Sequence, residues 1–107
     1  MRVAMQTHRK KRIELIVESA IADRLVAEIE AAGASGYTIH PVTGGKGHHG
    51  AWQEMGITPG SGMVAILVVA SIERAESLVP RLHAAMADFS GVILMSDVEV
   101  IRSAHFS

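Results

Sequence analysis

An uninterrupted apolar run, MVAILVVA, extends from Met63 to Ala70 and restricts the choice of fold more than any other segment. The run is rich in β-branched residues and bounded by polar or small residues, which favours a strand covered on both faces. It is much shorter than the ~20 residues that a membrane span requires. The N-terminus lacks the apolar core of a signal peptide. The sequence therefore predicts a soluble domain built around a buried strand.

Two segments with helical periodicity lie before and after this strand. Ser19 can cap the first helix, and Gly33 is a natural end for it. Ser71 can cap the second helix, Pro80 should bend it, and Ser90-Gly91 should end it. The predicted apolar stripes are Ile21, Leu25, Val26, Ile29 and Ala32 in the first helix, and Ala75, Leu78, Val79, Leu82, Met86 and Phe89 in the second.

Three further segments have strand-like patterns, in residues 11–18, 36–42 and 92–102. In the first, Ile13, Leu15 and Val17 alternate with the polar Arg12, Glu14 and Glu18, and Ile16 is the exception. The resulting order is β-α-β-β-α-β, which predicts an α+β, ferredoxin-like domain with two helices on one face of a four-stranded antiparallel sheet. Residues 1–10 are expected to form a flexible basic leader and residues 11–107 the single domain.

The last strand offers apolar residues to both faces of the sheet. Val92, Leu94, Val98 and Val100 alternate with Ile93, Met95 and Ile101. With helices on one face only, a monomer would expose one of these sets, and an exposed apolar patch usually marks an interface. We therefore expect an oligomer formed through the open face of the sheet.

A glycine-rich connection at about residues 43–61 joins the second and third strands. Its cluster GGKG, Gly44–Gly47, is predicted to form a turn whose N–H groups converge on an anion. Lys46 would lie where its ammonium group could pair with a phosphate. Connections of this length without regular structure are usually functional or disordered, so we expect the working part of the protein here.

The segment GYTIHPVTGGKG, the long loop after it and the apolar third strand together resemble the PII-like signalling proteins. The resemblance covers residues 11–102 and is closer to the carboxysome- and bicarbonate-associated branch than to the nitrogen regulators. It implies a homotrimer with projecting T-loops and an adenine nucleotide in the clefts between subunits. The nucleotide-binding residues that it implies are Thr38, Thr43, Gly44, Gly45, Lys46, Gly47, Gly91 and Arg102.

This chain departs from the nitrogen regulators in two places. Its only tyrosine, Tyr37, lies outside the loop, so control by uridylylation is not expected. The turn Phe89-Ser90-Gly91 lacks the lysine of those proteins, which favours ADP or AMP as effector over ATP with magnesium and 2-oxoglutarate. No tightly bound cofactor is expected.

The bicarbonate-associated branch implies further ligands and partners. Bicarbonate would bind at Lys46, Gly47 and His48, and the protein partner would be a bicarbonate transporter or a carboxysome-related protein. Trp52 is an aromatic residue in an otherwise small and polar loop, and aromatic residues often anchor interfaces. We expect Trp52 to contact the partner.

Two other functional classes are open. His40, His48 and His49 could bind zinc, copper or nickel in a trimeric cation-tolerance-like protein. Against this, adjacent histidines in an extended chain point apart, and the chain has no cysteine to complete a metal site. The other class is an oligomeric interaction domain without a ligand.

Composition excludes several functions. A net charge of -1, one Trp, one Tyr and two Phe argue against nucleic acid as a partner. The absence of cysteine is typical of a cytoplasmic protein. No catalytic Ser/His/Asp pattern or hydrolytic metal cluster stands out. We therefore expect a non-enzymatic regulatory protein that signals through ordering of its T-loop, in inorganic carbon metabolism.

Overall fold

The computed structural model describes residues 5–47, 50–53 and 62–101, with the backbone alone for residues 47 and 50–53. A short 3-10 turn, Ser19–Ile21, precedes the first helix. The elements in these residues are β1 (His8–Glu18), α1 (Ala22–Ala31), β2 (Thr38–Val42), β3 (Gly44–Gly47), β4 (Gly50–Gln53), β5 (Met63–Ala70), α2 (Ile72–Ala85) and β6 (Gly91–Val100).

Four of the strands form an antiparallel sheet in the order β2-β5-β1-β6. The apolar run predicted as a buried strand is β5, which lies between β2 and β1. Strand β1 is the other central strand, where Leu15 pairs with Ile66 on one side and with Ile93 on the other. This strand order, with two helices in the connections, confirms the predicted ferredoxin-like fold.

Both helices pack on one face of the sheet. Residues 13, 15 and 17 of β1 point towards them, because alternate residues of a strand share a face. The same face of β5 contributes Ile66 and Val68. The buried core comprises Ile13, Leu15, Val17, Ile21, Ala22, Leu25, Ile29, Ile66, Val68, Ala75, Leu78, Leu82, Ala85 and Met86.

Phe89 was expected to continue the apolar stripe of α2, and this prediction is wrong. Helix α2 ends at Ala85, and the N–H of Phe89 donates to the carbonyl of Met86 at 2.9 Å in the following turn. The side chain therefore leaves the helical face and is 39% exposed. Val79, also predicted, is only partly buried against the core.

The helix ends follow the predicted signals with two exceptions, one of which is the end of α2 at Ala85 rather than at Ser90-Gly91. The Ser71 hydroxyl accepts from the N–H of Arg74 at 3.2 Å and caps α2 as expected. Gly33 follows α1 with a φ of 82°, and the two hydrogen bonds of a Schellman motif close the helix, from Gly33 N to Glu30 O and from Ala34 N to Ile29 O. Ser19, expected to cap α1, instead begins the 3-10 turn.

The outer strands differ from prediction at their ends. Residues 8–10, assigned to the leader, belong to β1 because β6 extends to Val100 and offers them partners from Val98 onwards. Strand β2 begins at Thr38 rather than at residue 36, and β6 spans 91–100 rather than 92–102. The pattern-based boundaries were wrong here because cross-strand pairing, which is not local, sets them.

The sheet face opposite the helices is largely apolar and uncovered in the chain. Val92 and Leu94 lie there, at 42% and 48% exposure. They pair with Ile16 and Glu14 of β1, and Glu14 forms an ion pair with Arg12 at 3.3 Å. We call this surface the open face. None of the helices in the described part of the chain is long and apolar enough to cross a bilayer.

Candidate functional site

The glycine cluster is a strand, which corrects the prediction of an anion-binding turn. Residues Gly44–Gly47 form β3 and pair antiparallel with β4, so that Lys46 lies opposite Ala51. An anion-binding nest, in which successive backbone N–H groups converge on one anion, requires a residue with left-handed backbone. Among the described residues Gly33 alone has a positive φ. Glycine also adopts extended backbone, and the segment Gly50–Gln53, which follows closely in the chain, supplies a partner. The chain therefore presents Lys46 on a two-stranded hairpin, not at the centre of a nest.

The hairpin leaves the main sheet at the end of β2. Val42, the last residue of β2, pairs with Met63 at the start of β5, and Thr43 connects it to β3. Lys46 is exposed there. Residues 54–61, the second half of the predicted loop, lie outside the described residues. One end of the sheet, beside the edge strand β2, therefore carries Thr43, Gly44, Gly45 and Lys46.

The turn before β6 lies at the same end of the sheet but beside the other edge. Gly91 pairs with Val17, close to the end of β1, whereas Val42 belongs to β2 on the far side of β5. Three inter-strand spacings separate the two edge strands, which is about 14 Å. One chain therefore does not bring Gly44–Gly47 and Gly91 together. A single phosphate group could not contact both within one chain, so a site that used both for the same phosphate would lie between two chains.

Gly91 has a packing requirement of its own. A Cβ atom at this position would lie 2.8 Å from the carbonyl oxygen of Ile16 and 3.0 Å from the side chains of Met86 and Val17. The turn is thus pressed against β1, and a glycine is needed there whether or not a ligand binds.

Sequence reasoning did not identify Glu18, which contacts this turn. Its Oε2 accepts a hydrogen bond from the N–H of Ser90 at 3.1 Å. Glu18 is the last residue of β1 and was classed only as a polar residue alternating with the core positions. The strand order would have indicated the contact, because it places the end of β1 next to the start of β6.

The remaining residues predicted to contact the nucleotide either lie far from the hairpin or are outside the described residues. Thr38 begins β2 and pairs with Leu67, about 13 Å along the strand from Val42. It is exposed on the open face. Arg102 lies outside the described residues, as does His48. Only the backbone of Trp52 is described, so its predicted contact with a partner stays a prediction.

The alternative metal site is not assembled by the described residues. His40 is exposed on β2, opposite Ala65. Within residues 5–47, 50–53 and 62–101 no group of three or more His, Cys, Asp or Glu residues could hold a metal ion. His48 and His49 lie outside these ranges.

The basic start of β1 lies at the opposite end of the sheet from the hairpin, where acidic residues of β6 face it. The Nζ atom of Lys11 donates to Oδ1 of Asp97 at 2.5 Å. This hydrogen bond, together with the charge of Lys11, lowers the pKa of Asp97 below its usual 3.8. Glu99 accepts from the Thr7 hydroxyl at 2.9 Å. Lys11 is therefore engaged within the chain and does not contribute to the hairpin end.

Comparison with known families gives a match over most of the chain. The model of the family described as "Nitrogen regulatory protein P-II" matches residues 10–105. No match was found among curated proteins.

Several solved structures share this fold over nearly their whole length. A structure of CPII, a nitrogen regulatory PII-like protein from Thiomonas intermedia K12, bound to ADP, AMP and bicarbonate, has 27% identity and a TM-score of 0.80, covering 96% of this chain and 98% of that chain. CPII bound to ADP and bicarbonate gives 27% and 0.80, with coverage of 97% and 100%. A candidate PII-like signaling protein from Thermus thermophilus gives 25% and 0.78, with coverage of 96% and 100%.

Proposed function

Because the chain belongs to the nitrogen regulatory protein P-II family, we propose that it is a regulatory protein that binds ADP or AMP between the subunits of a homotrimer. It acts by binding rather than by catalysis. The two similar CPII structures contain ADP and bicarbonate, and one of them also contains AMP, which supports an adenine nucleotide as the ligand class.

The observation that carries this proposal is the position of the two halves of the candidate site. The base of the hairpin and the Ser90-Gly91 turn lie at one end of the sheet but beside its opposite edges, β2 and β6. Copies arranged around an axis can place the β2 edge of one against the β6 edge of the next. Each cleft would then be lined by the hairpin of one subunit and by the turn of its neighbour.

The open face supports the oligomer that such clefts need. It carries the exposed side chains of Val92 and Leu94, flanked by the partly buried Ile16, Leu67 and Val69. The hydrophobic contribution from burying apolar surface of this kind is about 25 cal/mol for each Å² removed from water, and it must exceed the entropy cost of association. We propose that three copies bury their open faces against one another.

The output of the protein is the order of the hairpin and the loop beyond it. If the phosphates of a nucleotide contact Lys46 only when the hairpin is ordered, nucleotide binding increases the population of the ordered hairpin. Bicarbonate is the proposed second ligand at Lys46, Gly47 and His48. We propose that a bicarbonate transporter or a carboxysome-related protein then recognises the loop through Trp52, and that the protein acts in inorganic carbon metabolism.

Titration calorimetry tests the nucleotide site. The protein, freed of carried-over ligand, is titrated with AMP, ADP and ATP, with and without bicarbonate. We expect saturable binding of about one nucleotide for each subunit, and Lys46→Ala should weaken it about tenfold because a charge-assisted phosphate contact is lost. Lys46 is exposed and contributes no core contact, so the variant should fold normally.

The matched control for this titration is Arg24→Ala. It removes one exposed positive charge from α1, in the helix layer and away from the hairpin. Equal affinities in Lys46→Ala and Arg24→Ala would remove Lys46 from the site. Absence of binding by the unaltered protein would refute the proposed function.

A further inference from the structure

The end of β1 is held between the two segments that border the candidate site. On one side Glu18 pairs with Met63, and the N–H of Ser19 donates to the carbonyl of Gly62 at 2.9 Å, where the long connection re-enters the sheet. On the other side the Glu18 carboxylate accepts from the N–H of Ser90. Glu18 is therefore fixed in position at the sheet end where the hairpin and the turn before β6 both lie.

The turn cannot easily move away from this carboxylate. Gly91 is packed against the backbone of Ile16, at a distance that leaves no room even for a methyl group. The pairing of Val17 with Gly91 continues that contact into the β1–β6 ladder. The Ser90 N–H therefore stays within reach of Glu18 as long as β6 remains in the sheet.

The charge of Glu18 is not neutralised by the residues described around it. The ion pairs found within residues 5–47, 50–53 and 62–101 are Lys11–Asp97, Arg12–Glu14 and Arg81–Glu28. Glu18 belongs to none of them. Its side chain is only partly exposed, so water screens the charge less than at a free surface.

We propose that Glu18 is a specificity-determining residue that disfavours nucleotides with more phosphates. This inference rests on the proposed function, in which the phosphates lie between the hairpin and the Ser90-Gly91 turn. Backbone N–H groups are common phosphate donors, and here one of them is already occupied by a carboxylate. A phosphate that approaches the turn must displace this carboxylate or remain beside a like charge. Because the repulsion grows with the charge of the phosphate chain, Glu18 selects AMP and ADP against ATP.

Glu18→Gln tests this directly, since the amide oxygen can still accept from Ser90 while the negative charge is lost. We expect the affinity for ATP to rise about five- to tenfold and that for AMP to change less than about twofold, with ADP between them. Glu18→Ala also frees the Ser90 N–H and should raise the ATP-to-AMP affinity ratio further. Calorimetry gives all three affinities for each variant.

Glu28→Gln is the control, because it removes the same charge from α1, where Glu28 pairs with Arg81 at 2.8 Å in the helix layer. Its ATP-to-AMP affinity ratio should equal that of the unaltered protein. The role of Glu18 would be overturned, with the nucleotide site left intact, by any of three results for Glu18→Gln. The affinities for AMP, ADP and ATP could all change by the same factor, all decrease, or all equal those of the Glu28→Gln control. Absence of nucleotide binding by the unaltered protein would instead refute the proposed function, and this inference with it.

Discussion

At the scale of single residues, Gly91 combines close packing, which the structure shows, with a ligand contact, which is proposed. The resemblance to PII-like proteins implied a glycine there for nucleotide binding, whereas the structure shows that the contact with Ile16 already requires one. The same turn presents the Ser90 N–H to Glu18. A substitution at position 91 would therefore lower the free energy of unfolding whether or not it also affected a ligand contact.

Gly91→Ala should lower the free energy of unfolding by about 1–3 kcal/mol, because the added methyl group overlaps the carbonyl oxygen of Ile16 and two side chains. Urea unfolding followed by circular dichroism measures this change. Gly36→Ala is the matched control, since a Cβ there meets nothing within 4 Å. It should change the free energy of unfolding by less than about 0.5 kcal/mol. Equal effects of the two substitutions would contradict the packing role.

Glycines also show what the sequence could and could not reveal at this scale. Gly33 was correctly predicted to end α1, because a glycine after a periodic apolar segment usually adopts the left-handed backbone that stops a helix. The prediction for Gly44–Gly47 was wrong, because glycine fits a turn and a strand equally well. The pairing with Gly50–Gln53 decided the outcome, and a local pattern does not contain that pairing.

At the scale of elements, the helices were predictable because their signals are local. The apolar spacing placed α1 and α2, and the Ser71 side chain was correctly assigned as the cap of α2. Strand β1 was predicted to begin at residue 11 because residues 8–10 lack an apolar pattern. They join the sheet through β6, so their structure depends on a segment about 90 residues later.

Ser71→Ala should lower the free energy of unfolding by about 1 kcal/mol, because the N–H of Arg74 loses its side-chain acceptor. Thermal and urea unfolding both report this loss. Ser77→Ala makes the same replacement at an exposed position inside α2 and should be neutral or slightly stabilising, since alanine has the higher helix propensity. Equal destabilisation by the two variants would show that the cap contributes nothing.

At the scale of the whole molecule, the open face is the surface through which the proposed trimer forms. The sequence predicted that one apolar side of the last strand would lack a cover, and the exposed Val92 and Leu94 confirm that such a side exists in the single chain. The site itself could not be assembled from sequence. Its two proposed halves lie beside opposite edges of the sheet, so they would meet only between chains of the proposed trimer.

Leu94→Arg should convert the proposed trimer into folded monomers. In a monomer the arginine stays in water beside Glu14, its cross-strand neighbour, but in the proposed trimer its longer, charged side chain would replace packed leucine surface in the interface. Sedimentation velocity measures the mass, and circular dichroism checks the fold. Ile72→Arg alters an apolar residue of 38% exposure on α2 instead, and should leave the trimer intact. A Leu94→Arg variant that remains trimeric would refute an interface through the open face.

The division of the site between β2 and β6 also has a genetic consequence. With the clefts arranged as proposed, a subunit defective in its hairpin still supplies a sound turn, and a subunit defective in its turn still supplies a sound hairpin. Every mixed trimer of the two contains a cleft in which both sound parts meet. Two alleles that are each inactive alone would therefore complement one another when expressed together, which a site confined to one chain could not do.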